Sequence, residues 1–172
     1  IANISALTYM LPLSLAIATM AAVGQAVGSR DWRQAHAVIK AGLLLAALLS
    51  TLVGVLLWFA AAPVIAAYTD DPEVCVVAGS LIGYVALYQF FDALQTVAGH
   101  ALRAYRVTFV PMLVQTFCFW GVGLFGGSWL CYRWSPPLGV AGFWIAAVIS
   151  LVLAAGLLLP LLRQAMQATE SP

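Results

Sequence analysis

Tyr84, Tyr88, Asp92 and Gln95 recur at helical spacing and form one polar stripe within an otherwise apolar stretch. Thr96 and Gly99 fall beside it, and Gln89 turns away. A phenol, a carboxylate and an amide all offer hard oxygens, so Tyr88 one turn from Asp92 can donate to the carboxylate or join it in holding a small cation. Asp92 belongs to the stretch 74–102, where it is the one charge, and helix rise places it about 6 Å from the middle. An aspartate near the centre of a membrane helix costs about 2.5–3.5 kcal/mol, so it needs a partner, a proton or water. No Lys or Arg lies at comparable depth in any apolar stretch. Two readings follow: a site that captures and releases Na⁺ or a proton, and a protonated, hydrogen-bonded structural Asp.

The elements that position this stripe are long. Of the 172 residues 64% are hydrophobic and 8% charged, with mean hydropathy +1.02, against about 25% charged in an ordinary soluble domain. Charge-free stretches cover 1–29, 41–69, 107–132 and 134–162, and each exceeds the roughly 20 residues that cross a hydrocarbon core. With 74–102 they predict five spanning helices, at 3–28, 35–62, 73–101, 108–133 and 138–163. None alternates in polarity as a membrane β-strand would. The fold class is an all-α membrane protein, a polytopic transmembrane helix bundle. The chain opens inside an apolar run without Met or a basic leader, which reads as a piece of a longer protein.

Alternating spans put Arg30, Arg33, Lys40, Arg103, Arg106 and Arg163 on one side, and only Arg133 among the basic residues on the other. The basic side is cytoplasmic by the positive-inside rule, so the N-terminal end lies outside and the C-terminal end inside. Asp70, Asp71 and Glu73 lie outside, where Pro72 suits a first helical position. Residues 29–34 can cap the second span and lay Trp32 at headgroup level, and Trp129, Tyr132 and Trp134 suit an outer aromatic belt. Gly24/Gly28, Gly79/Gly83 and Gly123/Gly127 read as close helix packing, and Pro12 as a kink.

Other polar residues carry less. His100 beside Arg103 and His36 read as interfacial. Gln25 and Gln115 read as amides that bond across helices, and Thr8, Ser14 and Thr19 as hydroxyls satisfying their own helix. Cys75, Cys118 and Cys131 show no metal spacing, and a Cys75–Cys131 disulfide is conceivable without being favoured. No nucleotide, hydrolase, zinc or nucleic-acid motif is present.

The sequence Pro12-Leu13-Ser14, then Val23-Gly24-Gln25-Ala26-Val27-Gly28, followed by Arg30-Asp31-Trp32-Arg33 with Ala35 and Gly42 beyond, resembles the second-half signature of the multidrug and toxic compound extrusion (MATE) family. So do Tyr88-Gln89-Phe90-Phe91-Asp92-Ala93-Leu94-Gln95, Gly99-His100-Ala101-Leu102-Arg103-Ala104-Tyr105-Arg106 and Pro137-Leu138-Gly139-Val140-Ala141-Gly142-Phe143-Trp144. The resemblance spans essentially the whole chain. It implies five helices, eight to twelve, of the second six-helix lobe of a twelve-helix transporter, residues 1–172 being a partial C-terminal lobe. It further implies export of organic, often cationic and aromatic, drug-like compounds in exchange for Na⁺ or H⁺. In the resembled members an acid on helix seven joins a Tyr and an Asp on helix ten, which match Tyr88 and Asp92. The helix-seven acid lies outside this sequence, and Ala104 stands where the family often has Gly.

The resemblance thus makes Asp92 and Tyr88 the cation-coupling pair, Na⁺ being their candidate metal. Tyr84, Phe91 and Gln95 are cavity-lining candidates, with Phe90, Phe117 and Phe119 as looser ones. No enzyme activity, no cofactor beyond the coupling ion and no nucleic-acid partner is expected. Membrane lipids, the N-terminal lobe of the same protein and drug-like substrates are the expected partners, in a bacterial inner membrane. Two alternatives remain. One is a flippase for a lipid-linked saccharide, disfavoured because these spans lack the Arg and Lys such cavities often carry, and the other is a non-transporting membrane subunit.

Overall fold

The computed structural model describes residues 2–66, 72–133 and 140–168, and every element in them is a helix. In chain order these are α1 (Ala2–Gly28), α2 (Trp32–Phe59), the short α3 (Ala61–Ala66), α4 (Pro72–Ala104), α5 (Phe109–Thr116), a π-helical segment (Phe117–Gly126), α6 (Gly127–Tyr132) and α7 (Val140–Ala168). The chain is an all-α membrane bundle. Among the described residues four helices, Met10–Gly28, Trp32–Phe59, Phe109–Tyr132 and Val140–Ala168, are long and apolar enough to cross a bilayer. The fifth expected span falls on α4, whose 33 residues are ample at about 1.5 Å each and which gathers the polar side chains of the stripe. It is the central helix, packed against α1, α2 and α7.

The packing is inside-out relative to a soluble domain. On α2 the buried positions are Ala35, Ile39, Gly42, Ala46, Ser50, Gly54 and Leu57, mostly small, while Leu44, Leu48, Leu52 and Trp58 are exposed. Small residues let backbones approach where lipid rather than water covers the outside. A Cβ on Gly42 would lie 2.6 Å from Thr19 Oγ1, and that hydroxyl is fixed by its 2.7 Å bond to the Leu15 carbonyl oxygen. Gly42→Ala should therefore lower thermal stability of the full-length protein by about 1–3 kcal/mol. Adding Thr19→Ala should restore most of it, and a double variant no better than Gly42→Ala would refute the contact as the cause.

The three glycine pairs divide differently than expected. A Cβ on Gly24, Gly28 or Gly79 would meet nothing within 4 Å, so the first pair does not pack within the described structure. At Gly123 and Gly127 a Cβ would meet Ser150 Oγ at 3.3 Å and Phe143 Cδ1 at 2.8 Å, which brings Phe109–Tyr132 tightly against α7. The π-helical stretch of that helix contains Gly121, Gly123 and Gly126. A wider helical turn crowds no side chain at these positions.

Local chemistry explains where helices stop and start. α2 begins at Trp32, earlier than the 35 read from sequence, because Asp31 Oδ1 accepts from the Gln34 N–H at 2.9 Å. It ends at Phe59, short of 62, since Pro63 has no N–H for the Phe59 carbonyl and instead sits in the first turn of α3. α7 runs through Pro160 to Ala168, past the expected 163, and α1 continues through Pro12. α4 starts at Pro72. The acidic turn before it and the turn around Pro136 and Pro137 lie outside the described residues.

α1 and α4 end in the same way. Asp31 N bonds to Ala26 O at 2.9 Å and Arg30 N to Val27 O at 3.1 Å, while Val107 N bonds to Leu102 O and Arg106 N to Arg103 O, both at 3.0 Å. These are Schellman closures, in which the residue after the cap turns left-handed. Here it is arginine, with φ of 59° at Arg30 and 61° at Arg106. Left-handed backbone costs a non-glycine residue about 1–2 kcal/mol. Arg106→Gly should raise the melting temperature of the purified full-length protein, and a lowered one would show that the side chain contributes more than its backbone strain removes.

Candidate functional site

From 92 to 102, α4 is enclosed on nearly every side. Asp92 is 5% exposed, Gln95 4% and Thr96 3%, and Ala93, Val97, Ala98, Ala101 and Leu102 are fully buried. Small residues at Ala16, Ala46, Ala93 and Val97 bring α1 and α2 onto this part of the helix. The sequence stripe leaves open whether it meets protein or water. At Asp92 and Gln95 it meets protein.

Gln95 is the hub of the polar cluster. Its Nε2 donates to Asp92 Oδ1 at 3.0 Å and to Thr96 Oγ1 at 3.1 Å, and its Oε1 accepts from Gln115 Nε2 on α5 at 2.9 Å. Both amide hydrogens and one oxygen lone pair are thus engaged. Gln115 bonds across helices, in keeping with the sequence reading. Gly99 makes room for it, since a Cβ there would lie 3.2 Å from Gln115 Nε2. Among the described residues no ion pair to Asp92 forms; its electrostatic surroundings are burial and the Gln95 amide.

The other candidates are placed less directly. The Tyr88 ring stands edge-on to Trp144 of α7, with centroids 5.8 Å apart. Tyr84 is half-buried one turn earlier. Phe91 is half-buried too, its ring edge-on to Phe90 at 5.4 Å. Asp92 and Gln95 are therefore joined by a hydrogen bond, and the Tyr88 ring packs on α7. His100 has Nδ1 at 2.8 Å from the Thr96 carbonyl oxygen and Nε2 at 3.5 Å from Arg103 Nη1, a geometry for a ring protonated at Nδ1. Ser14 and Thr19 do satisfy their own helix, bonding to Met10 O at 2.8 Å and Leu15 O at 2.7 Å. The Thr8 side chain lies outside the described residues. The cysteines form no disulfide.

Gln89, read as turned away from the stripe, is nonetheless 1% exposed, and among the described residues neither amide atom has a hydrogen-bond partner. It borders a small pocket with Pro12, Leu15, Leu49 and Ser50. The stripe argument missed it because α4 is packed on both flanks, so a residue off the polar face still enters protein. An amide in an apolar run was the available signal.

Among the described residues no three His, Cys, Asp or Glu side chains converge, so they build no cluster of that kind. What they build is one buried carboxylate whose hydrogen-bond donor is the neutral Gln95 amide.

Three comparisons bear on this arrangement. The MatE family model matches residues 1–129. A probable multidrug resistance protein NorM of Aromatoleum aromaticum is 47% identical over 175 residues, covering 99% of this chain and 38% of that protein. Another, of Chromobacterium violaceum, is 40% identical over 159 residues, covering 91% and 34%. The chain therefore spans little more than a third of the curated relatives' length. The eukaryotic MATE transporter AtDTX14 superposes with a TM-score of 0.85 at 19% identity, over 97% of this chain and 39% of that one; this likeness concerns the fold. From its family match, its relatives and its helical architecture, the chain belongs to the MatE family and is not an enzyme.

Proposed function

We propose that the chain forms helices eight to twelve of the C-terminal lobe of a multidrug efflux antiporter, exporting organic, often cationic compounds in exchange for Na⁺ or H⁺. The observation that carries this reading is Asp92, 5% exposed at bilayer depth with a neutral amide as its hydrogen-bond donor. Such a carboxylate is costly unless something positive visits it. The NorM relatives, named as probable multidrug resistance proteins, support the drug-export part. Coupling then requires the ion and the drug to favour different packings of the lobe. Tyr88 is the second candidate ion ligand. Tyr84, Phe91 and Gln95 are the candidate lining of a cavity shared with the N-terminal lobe, near the midplane where transporters of repeated architecture place it. The excess of basic residues at one set of helix ends supports a cytoplasmic C-terminal end in a bacterial inner membrane.

Proteoliposomes holding the full-length protein test this directly. An imposed Na⁺ or proton gradient should drive accumulation of a fluorescent organic cation such as ethidium, and accumulation indifferent to both gradients would overturn the coupling. A second measurement separates a transporter from a non-transporting subunit. At fixed pH, modification of Asp92 by a hydrophobic carbodiimide should slow as Na⁺ is raised over the range that drives export, whereas raising proton concentration should speed it, because the carbodiimide takes up the carboxyl proton as the O-acylisourea forms. A modification rate flat across that range would count against ion occupancy.

A further inference from the structure

The Asp92 carboxylate is bound within its own helix by Gln95, but Gln95 is bound from outside it. Gln115, at the last turn of α5 just before the π-helical segment, donates its Nε2 to Gln95 Oε1 at 2.9 Å. Phe109–Tyr132 otherwise leans on α7 through Gly123 and Gly127, and the principal neighbours of α4 are α1, α2 and α7. The amide pair is thus a directional polar tie between the candidate ion site and a helix that packs elsewhere. Gly99 keeps it possible, because a Cβ at that position would lie 3.2 Å from Gln115 Nε2.

The direction of the tie matters. While Gln115 donates to Gln95 Oε1, that oxygen is held away from the carboxylate and the Gln95 N–H is aimed at Oδ1. An N–H so placed occupies the position a cation would take and repels one. For Gln95 to help hold a cation it must turn its oxygen inward, and it then points N–H groups at Gln115, also a donor in this arrangement. Ligation of a cation by Gln95 and this form of the tie exclude each other unless Gln115 turns too, whereas a proton on Asp92 Oδ2 only weakens Oδ1 as acceptor of the Gln95 N–H.

We propose that Gln115 is a positioning residue for cation coupling, acting through Gln95 to hold Asp92 in its ion-free form. The tie links ion occupancy to the placement of Phe109–Tyr132. This rests on the proposed role of Asp92 as the coupling acid.

The test uses the full-length transporter in proteoliposomes, reading ethidium transport against Na⁺ concentration at fixed pH and against proton concentration without Na⁺. Loss of one neutral hydrogen bond that favours the ion-free form should lower the half-saturating concentration of the coupling ion about two- to tenfold in Gln115→Leu. Maximal rate should fall or stay level, because ion release becomes harder. Gly99→Ala should shift the half-saturation the same way with Gln115 still present, and the double variant should fall short of the sum of the single shifts. A purely structural role would change the amount of folded protein and leave half-saturation untouched in both variants; that result overturns the proposal. Asp92→Asn measured in parallel separates the two failures. If it keeps ion-driven transport, the underlying reading fails; if it loses transport while Gln115→Leu and Gly99→Ala show no shift, only the role of Gln115 fails.

Discussion

Asp92→Asn is expected to abolish ion-driven export while the protein remains inserted and folded. Asn has nearly the shape of Asp, and its Oδ1 can still accept the Gln95 N–H that now lies 3.0 Å from Asp92 Oδ1, so the cluster with Thr96 and Gln115 persists. What disappears is one negative charge. At about 4 Å and an effective dielectric near 20, that charge attracts a monovalent cation by about 4 kcal/mol, worth nearly three orders of magnitude in affinity. For a proton the loss is complete, because an amide does not titrate in the physiological range. The neutral side chain also removes the penalty of holding a carboxylate in hydrocarbon. Membrane abundance and melting temperature should therefore equal or exceed those of the parent, even as gradient-driven ethidium transport vanishes. Transport with ordinary ion dependence in this variant would sink the assignment of Asp92.

How far the sequence discloses this site depends on which physical signal each residue leaves. Asp92 is visible because a lone acid breaks a long apolar stretch, and no neighbouring base at that depth answers it. Its link to Gln95 is visible because the two are one turn apart. Gln115, twenty positions from Gln95, shows only as an amide in an apolar span. Periodicity along one helix carries no information about which helix stands opposite. For the same reason the packing of the Tyr88 ring on Trp144 of α7 leaves no trace along the α4 sequence. The helices themselves follow from uncharged length, with capping and proline chemistry correcting their ends at Asp31 and Pro63. The π-helical segment leaves no periodic trace, since the stretch Phe117–Gly126 is apolar and glycine-rich throughout. Glycine spacing was ambiguous too: it found the contact of Gly123 and Gly127 with α7, and also Gly24 and Gly28, whose Cβ positions are empty. Small residues at four-residue intervals say that a close approach is allowed, and the partner surface decides whether it happens.

Gln95→Leu is expected to be among the most destabilising polar substitutions in the chain, more costly than Asp92→Asn or Gln115→Leu. Leucine fills a similar volume, so the cost is polar rather than steric. It removes the donor to Asp92 Oδ1, the donor to Thr96 Oγ1 and the acceptor of Gln115 Nε2 together. Leaving a buried polar group unsatisfied costs about 1–3 kcal/mol, and more when it is charged. The Thr96 hydroxyl can turn to a carbonyl of its own helix, as Ser14 and Thr19 do in α1, so it loses little. Half-buried Gln115 loses an intermediate amount. Most of the penalty falls on Asp92, 5% exposed, and the total should reach about 3 kcal/mol or more. This origin makes an unusual demand on the double variant Asp92→Leu/Gln95→Leu. If the cost comes from a carboxylate stripped of its donor, replacing that carboxylate should recover stability, because an apolar pair of similar volume often matches or exceeds a buried polar one. The double variant should melt above Gln95→Leu while transporting nothing. A double variant melting below Gln95→Leu would instead place the cost in packing around position 95, and the view of Gln95 as the electrostatic hub of the site would fail.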